Sequence, residues 1–316
     1  MMKGDTGICQ TDSESIWLKA MDKHLWGIDL GGTKIEGVVL PDAATAEPLC
    51  RLRIPTEADR GYDHLLDRIV DLVGRMKEAT GKEPESIGFG TPGVLDPFLL
   101  TLKNSNTACL VGKPLSTDLE ERLRLKVRLA NDANCFTLAE AKWGAGRGAP
   151  TVFGIILGTG VGGGIVVEGK PLTGLQGIAG EWGHNILEPE GADCYCGRRG
   201  CVETVISGPA LERHHLARTG KKQTLPEIAR AARSDPGARS TLERLVSRFG
   251  EALAPVINLL DPHVVVVGGG VSNLDILYTE GPAEVEKRIF NHTLLTPIVR
   301  NELGDSAGVF GAALLA

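Results

Sequence analysis

The sequence predicts an α/β protein built from two related halves, and three observations carry this. Strand-like apolar runs alternate with segments of helical periodicity from Leu25 to the C-terminus. The segment WGIDLGGTKIEGVVL (residues 26–40) recurs without a gap as FGIILGTGVGGGIVV (residues 153–167). Gly27 thus aligns with Gly154, Leu30 with Leu157, Gly31 with Gly158 and Gly37 with Gly164, so each half opens on the same hairpin. A length of 316 residues is also enough for two domains, each with its own core.

Taken in order, residues 1–23 are polar and weakly periodic and predict a tail, with Met21 just ahead of the first convincing strand. LWGIDLGG and TKIEGVVL read as two strands joined by a tight glycine turn. Residues 63–80 place Leu65, Leu66, Ile69, Leu72, Val73 and Met76 on one helical face closed by Gly81, which predicts an amphipathic core helix. SIGFGTPGVLD reads as a strand entering a Gly-Pro turn. STDLEERLRL reads as a capped helix before the strand KVRLAND, and TLERLVSRFGEALAPVINLL as a helix before the apolar strand VVVVGGG.

Composition narrows the function. The net charge is −6, and basic residues cluster no further than pairs such as Arg198-Arg199, so neither a nucleic-acid nor an anionic-membrane partner is expected. Apolar runs fall short of the ~18 residues of a membrane span, and the N-terminus lacks the basic-then-apolar order of a secretory signal. Of seven cysteines, Cys9, Cys50, Cys109 and Cys135 are scattered singly. That pattern fits free thiols in a reducing compartment better than a disulfide framework, and a cytoplasmic location is expected.

The duplicated hairpins carry glycines at their tips, where backbone N–H groups can approach an anion closely. Two facing copies could grip one polyphosphate from both sides. The stretch GEWGHNILEPEGADCYCGRRGCVE, Gly180 to Glu203, gathers one histidine with three cysteines in Cys-x-Cys-x4-Cys spacing. Disulfide staples or chance loop residues are the plain readings. The sharper one is a tetrahedral zinc site of Cys194, Cys196 and Cys201, completed by an imidazole, for which His184 is the nearest candidate. Such a site has no open position and would be structural. Asn131-Asp132-Ala133-Asn134 lies where a strand passes into a helix, an ordinary N-cap position that also suits a catalytic carboxylate.

DLGGTK, GTGVGGG and GGG, in this order, resemble the phosphate and adenosine motifs of the actin-like, ribonuclease-H-like ATPase superfamily. With LANDANC, GEWGH and CYCGRRGC the chain is identified as a member of the ROK family (repressor, open reading frame, kinase) from about Leu25 onward. The resemblance implies a two-domain actin-like fold hinged around a cleft. Residues 1–24 would be a tail, residues 25–128 with 300–316 a small α/β domain, and residues 129–299 a large one bearing the zinc loop.

It also implies an ATP- and Mg²⁺-dependent kinase for the 6-hydroxyl of a free hexose. Asp132 would be the base and Asn131 would orient the sugar, which Glu181, His184, Glu203 and Asn106 also contact, His184 serving the zinc as well. Asp29 would face Mg²⁺ or its waters. Gly31, Gly32, Thr33 and Lys34, with Gly158, Thr159 and Gly160, would hold the phosphates, and Gly268, Gly269 and Gly270 the adenosine. KNSNT, GEWGHN and ETVISG lean toward the fructokinase and mannokinase branch, whereas ILGTGVGGG and DANCF suit N-acetylglucosamine kinases; N-acetylmannosamine kinase and glucokinase stay open. A sugar-responsive regulator is disfavoured, since fewer than thirty residues precede the first hairpin, and a non-catalytic sugar binder is disfavoured by the intact Asp132. Relatives of this kind imply a homodimer.

Overall fold

The computed structural model describes residues 24–105 and 107–316. The expectations for residues 1–23 and for Asn106 therefore lie outside the described residues.

The first half runs β1 (Leu25–Leu30), β2 (Lys34–Leu40), β3 (Cys50–Pro55), α1 (Tyr62–Thr80), β4 (Ser86–Thr91), a short hairpin of β5 (Val94–Leu95) and β6 (Leu102–Lys103), α2 (Leu115–Leu123) and β7 (Lys126–Asn131). The second continues with α3 (Asp132–Trp143), β8 (Thr151–Leu157), β9 (Val161–Val167), β10 (Lys170–Pro171), α4 (Val202–Ile206), α5 (Gly208–Thr219), α6 (Leu225–Ala231) and α7 (Pro236–Leu260). It closes with β11 (Val264–Gly268), α8 (Ile276–Thr279), α9 (Gly281–Glu286), β12 (Ile298–Arg300) and α10 (Ala307–Ala313). The two large sheets have the orders β3-β2-β1-β4-β7 and β10-β9-β8-β11-β12. In each, the leading hairpin is antiparallel and the last two strands run parallel to its first strand. The sequence repeat is thus a repeat of topology.

Helix α1 buries the six predicted side chains and ends at Gly81, whose φ of 64° lets its N–H reach the Lys77 carbonyl. Helix α2 departs from expectation: it begins at Leu115 after Pro114, without a side-chain cap. Helix α7 starts earlier than its periodicity suggests, at Pro236, because the Asp235 carboxylate accepts the N–H of Gly237 at 2.8 Å.

Two helices lie between the sheets. Helices α3 and α10 share a core with residues from both, including Val38, Phe136, Val152, Val266 and Phe310. Strand β11 shows the alternation: Val264 and Val266 face this middle layer, while Val265 and Val267 face the outer core under α7. Burial on both faces is why that strand reads as an uninterrupted valine run.

The repeated mid-strand glycines serve this layering. A Cβ on Gly27 would stand 2.4 Å from the Ala313 nitrogen, and one on its repeat partner Gly154 would stand 2.0 Å from Thr137 Oγ1. These positions admit α10 and α3 against their sheets. Gly88 on β4 is tighter, since its Cβ would fall 1.8 Å from the Ala312 carbonyl oxygen, a backbone atom. Gly88→Ala is therefore expected to destabilise the fold by about 1–3 kcal/mol or more through overpacking. Urea denaturation checks this, and an unchanged midpoint would contradict the account.

Candidate active site

Strand β7 ends at Asn131 and α3 begins at Asp132. Asn131 Oδ1 accepts the Ala133 N–H at 2.8 Å, the N-cap expected of it, while its Nδ2 donates to the Gly93 carbonyl at 3.2 Å. The Asp132 carboxylate also accepts the Ala133 N–H at 2.8 Å. Strand, cap and helix thus fix both side chains at the mouth of a cavity of about 160 Å³. Glu181, His184, Glu203 and the second hairpin tip, Gly158 to Gly160, line the same cavity. Residues widely separated in sequence therefore meet as expected.

A second cavity of about 610 Å³ shares Gly158 and Thr159 with the first, so the hairpin tip is the wall between them. It is lined otherwise by Pro209, Glu212, Leu225, Pro226, Arg230, Gly270 and Asn273. Of the glycine triplet only Gly270 reaches it. Gly268 stays within β11 with its Cβ position against the Phe136 ring, and Gly269, at φ 85°, makes the turn over the Leu157 carbonyl. The first hairpin tip lines neither cavity, and Gly32, Thr33 and Lys34 are exposed. Thr56, which sequence reasoning did not single out, holds that tip: its hydroxyl donates to the Gly31 carbonyl at 2.7 Å and its N–H to the Thr33 carbonyl at 3.0 Å.

Asp29, at the end of β1, lies beside Gly90 and Gly308, whose missing side chains leave it room. Burial, then the charges of Asp132 and Glu36, push its carboxyl up to about 7 against the pull of Lys34 and Arg53. Burial, then Asp132 and Glu203, push Glu181 up to about 7, and burial raises Asp132. This gathering of carboxylates is mutually repulsive and suits a site that receives a cation and hydroxyl donors.

The sign of the pH dependence follows. A carboxyl whose pKa is raised by folding stabilises the fold fully below its unfolded pKa of about 4, and that contribution is lost as pH rises toward 7. The ligand-free protein is expected to lose thermal stability between about pH 5 and about pH 7.5 through Asp29 and Glu181. Calorimetry would show it, and a Tm rising across that window would contradict it.

The loop bearing Glu181 and His184 is anchored from below. Trp182 is buried, donates through Nε1 to the Gly162 carbonyl at 3.1 Å and packs edge-on against Phe153. Glu203, in the first turn of α4, ties that helix to the second hairpin, since its Oε2 accepts the Val161 N–H at 3.0 Å. Nothing in the sequence spacing announces that bond across 42 positions.

His184, Cys194, Cys196 and Cys201 bring one ligand atom each to within 4.8 Å of one another. All six described cysteines are free thiols. A tetrahedral ion with bonds of about 2.3 Å to sulfur and about 2.05 Å to nitrogen requires S···S near about 3.8 Å and S···N near about 3.6 Å. Cys196 and Cys201 sulfurs stand 3.6 Å apart, and Cys194 Sγ stands 3.5 Å from His184 Nδ1, so the four side chains fit such an ion. The other ring nitrogen, Nε2, turns to the Tyr195 hydroxyl at 3.0 Å.

Paired hairpin-led sheets around two central helices, with a carboxylate pocket and a nucleoside-sized cavity meeting at one hairpin tip, define a phosphotransferase of the actin-like ATPase fold. The sequence profile of the ROK family matches residues 25–316, and the chain belongs to that family. It is similar to the N-acetyl-D-glucosamine kinase of Pectobacterium atrosepticum (39% identical over 304 residues, 92% of this chain and 98% of that one). It is similar also to that of Vibrio vulnificus (36% identical, 92% and 98%).

Among solved structures, the ROK hexokinase from Thermus thermophilus superposes with a TM-score of 0.82 at 34% identity, covering 93% of this chain and 97% of that one. A ROK family glucokinase from Streptomyces griseus in complex with glucose and AMPPNP gives 0.77 at 30%, covering 93% and 99%. The chain is a sugar kinase, and no described helix is long and apolar enough to cross a membrane. The lean toward fructokinase and mannokinase, drawn from short loop strings, is not where the whole-chain similarity falls. These relatives are N-acetylglucosamine kinases.

Proposed function

We propose that the protein transfers the γ-phosphoryl group of ATP to the 6-hydroxyl of N-acetyl-D-glucosamine. The observation that carries the transfer is the meeting of the carboxylate cavity and the nucleoside-sized cavity at Gly158-Thr159. The choice of sugar rests on the names of relatives matched over nearly the whole chain.

Adenosine would lie in the larger cavity beside Gly270 and Pro226, with its phosphates on the N–H groups of the Gly158 to Gly160 tip. Asp132 accepts the proton of the attacking hydroxyl, and its raised pKa improves its match to that task near neutral pH. Glu181 and Glu203 accept hydrogen bonds from other sugar hydroxyls. The carboxylates of Asp29 and Asp132 fit a cation entering with the nucleotide. Mg²⁺, when bound, would supply charge neutralisation at the β- and γ-phosphates. Zinc is proposed for the His184, Cys194, Cys196 and Cys201 cluster, as a brace that aims Glu181 and Glu203.

The same proposal divides the chain into a smaller unit, residues 25–128 with 300–316, and a larger one, residues 129–299. The close seating of α10 on Gly27 and Gly88 supports grouping the C-terminus with the first sheet. It also includes a cytoplasmic location and a homodimer. Glucose phosphorylation is the second reading, favoured by the hexokinase and glucokinase structures. An ADP-release screen over N-acetylglucosamine, N-acetylmannosamine, glucose, mannose and fructose decides between them. N-acetylglucosamine is expected to give the highest kcat/KM, and a higher value for glucose would replace the first reading with the second.

A further inference from the structure

Between two zinc-type ligands, at a position the reaction leaves unassigned, the chain places a tyrosine. Tyr195 is 59% exposed, yet it lines the sugar cavity together with Glu181, His184 and Glu203. Its ring stands edge-on to the His184 imidazole with centroids 5.1 Å apart. Its hydroxyl lies 3.0 Å from His184 Nε2.

The hydrogen-bond directions follow from the cluster. With a metal ion on His184 Nδ1, as proposed for the cluster, the imidazole proton stays on Nε2. Nε2 therefore donates and the Tyr195 oxygen accepts. The phenol, protonated at neutral pH, keeps its own hydrogen for another acceptor. Glu181 and Glu203 act on the Tyr195 hydroxyl electrostatically but make no hydrogen bond to it. The cavity thus presents a neutral donor backed by an aromatic face, beside the carboxyl groups of Glu181 and Glu203.

Sugar geometry says what meets it. With the 6-hydroxyl at Asp132, the ring atom across from C5 is C2. Asp132 lines the cavity from the junction of β7 and α3 and Tyr195 from the cysteine loop, so the tyrosine is taken as the far end of the wall from the reacting hydroxyl. A 2-acetamido group offers that far end a carbonyl oxygen that only accepts and a methyl that needs apolar contact. A 2-hydroxyl needs neither.

We propose that Tyr195 is the specificity-determining residue for a 2-acetamido sugar, its hydroxyl donating to the acetamido carbonyl and its ring covering the methyl. The proposal rests on the N-acetylglucosamine reading and deepens it. Tyr195→Phe keeps the ring and removes the donor, so kcat/KM for N-acetylglucosamine should fall about three- to tenfold while that for glucose stays within about twofold. Metal content and Tm, measured on the same preparation, should match the wild type. Direct calorimetric titration with each sugar alone should show the same selective loss.

An equal loss for both sugars, or none for either, overturns the role of Tyr195, because a residue that merely props His184 would not distinguish substituents at C2. A wild type without preference for N-acetylglucosamine overturns the substrate reading itself, before any variant is made. Wild-type preference retained in Tyr195→Phe overturns only the present inference.

Discussion

Asp132→Asn is expected to lower kcat by about 10²–10⁴ while leaving sugar affinity within a few-fold of the wild type. The asymmetry comes from the local structure. Asparagine keeps an oxygen for the Ala133 N–H that Asp132 accepts at 2.8 Å, so the start of α3 and the Asn131 cap should survive. What disappears is the basic oxygen that, in the proposed reaction, takes the proton from the attacking hydroxyl. Phosphoryl transfer through a loose transition state needs that proton removed only late, so binding and positioning stay while turnover falls. Steady-state kinetics with calorimetric sugar titration separates the two quantities. Near-normal turnover in the variant would remove Asp132 from the role.

The second large effect concerns the cysteine and histidine cluster. Purified protein is expected to carry about one tightly held zinc per chain, as a closed four-ligand site requires. Stripping it with a chelator, or replacing Cys196 by Ser, should weaken sugar affinity about 10- to 100-fold, the scale seen when a group that orients a site is lost. Nucleotide affinity should change far less. Apart from the shared Gly158 and Thr159 tip, the larger cavity is walled by α5, α6 and residues 270–274, none of which carries a ligand of the cluster. Sugar affinity unchanged in metal-free protein would sink the bracing role, and loss of both affinities together would show that the ion holds the larger fold.

Much of this was readable from residue order, and the places where it was not share a cause. The amphipathic face of α1, the paired hairpins and the Cys-x-Cys-x4-Cys spacing are local patterns, fixed by helical and strand periodicity within a few dozen residues. The capped start expected for α2 failed because Pro114 and Leu115 set the boundary, and helix ends rest on single residues. The resemblance implies one adenosine platform for the glycine triplet. In the fold, Gly268 packs on Phe136, Gly269 turns over Leu157, and only Gly270 reaches the cavity. Equivalent letters took different tasks because their neighbours come from elsewhere in the chain.

The sequence by itself determined that two hairpin-led halves would form an α/β pair, and that a thiol and imidazole cluster would sit next to candidate sugar ligands. The halves follow from periodicity and the thiol cluster from short spacing, whereas the sugar ligands beside it follow from the resemblance to the ROK family. Only the tertiary structure decided that Glu203 clamps the second hairpin through the Val161 N–H, and that Pro226, Arg230 and Asn273 wall the larger cavity. Those contacts join segments far apart in the chain, and their geometry is set by how closely α3 and α10 can pack against both sheets, a property of shape that no local pattern encodes.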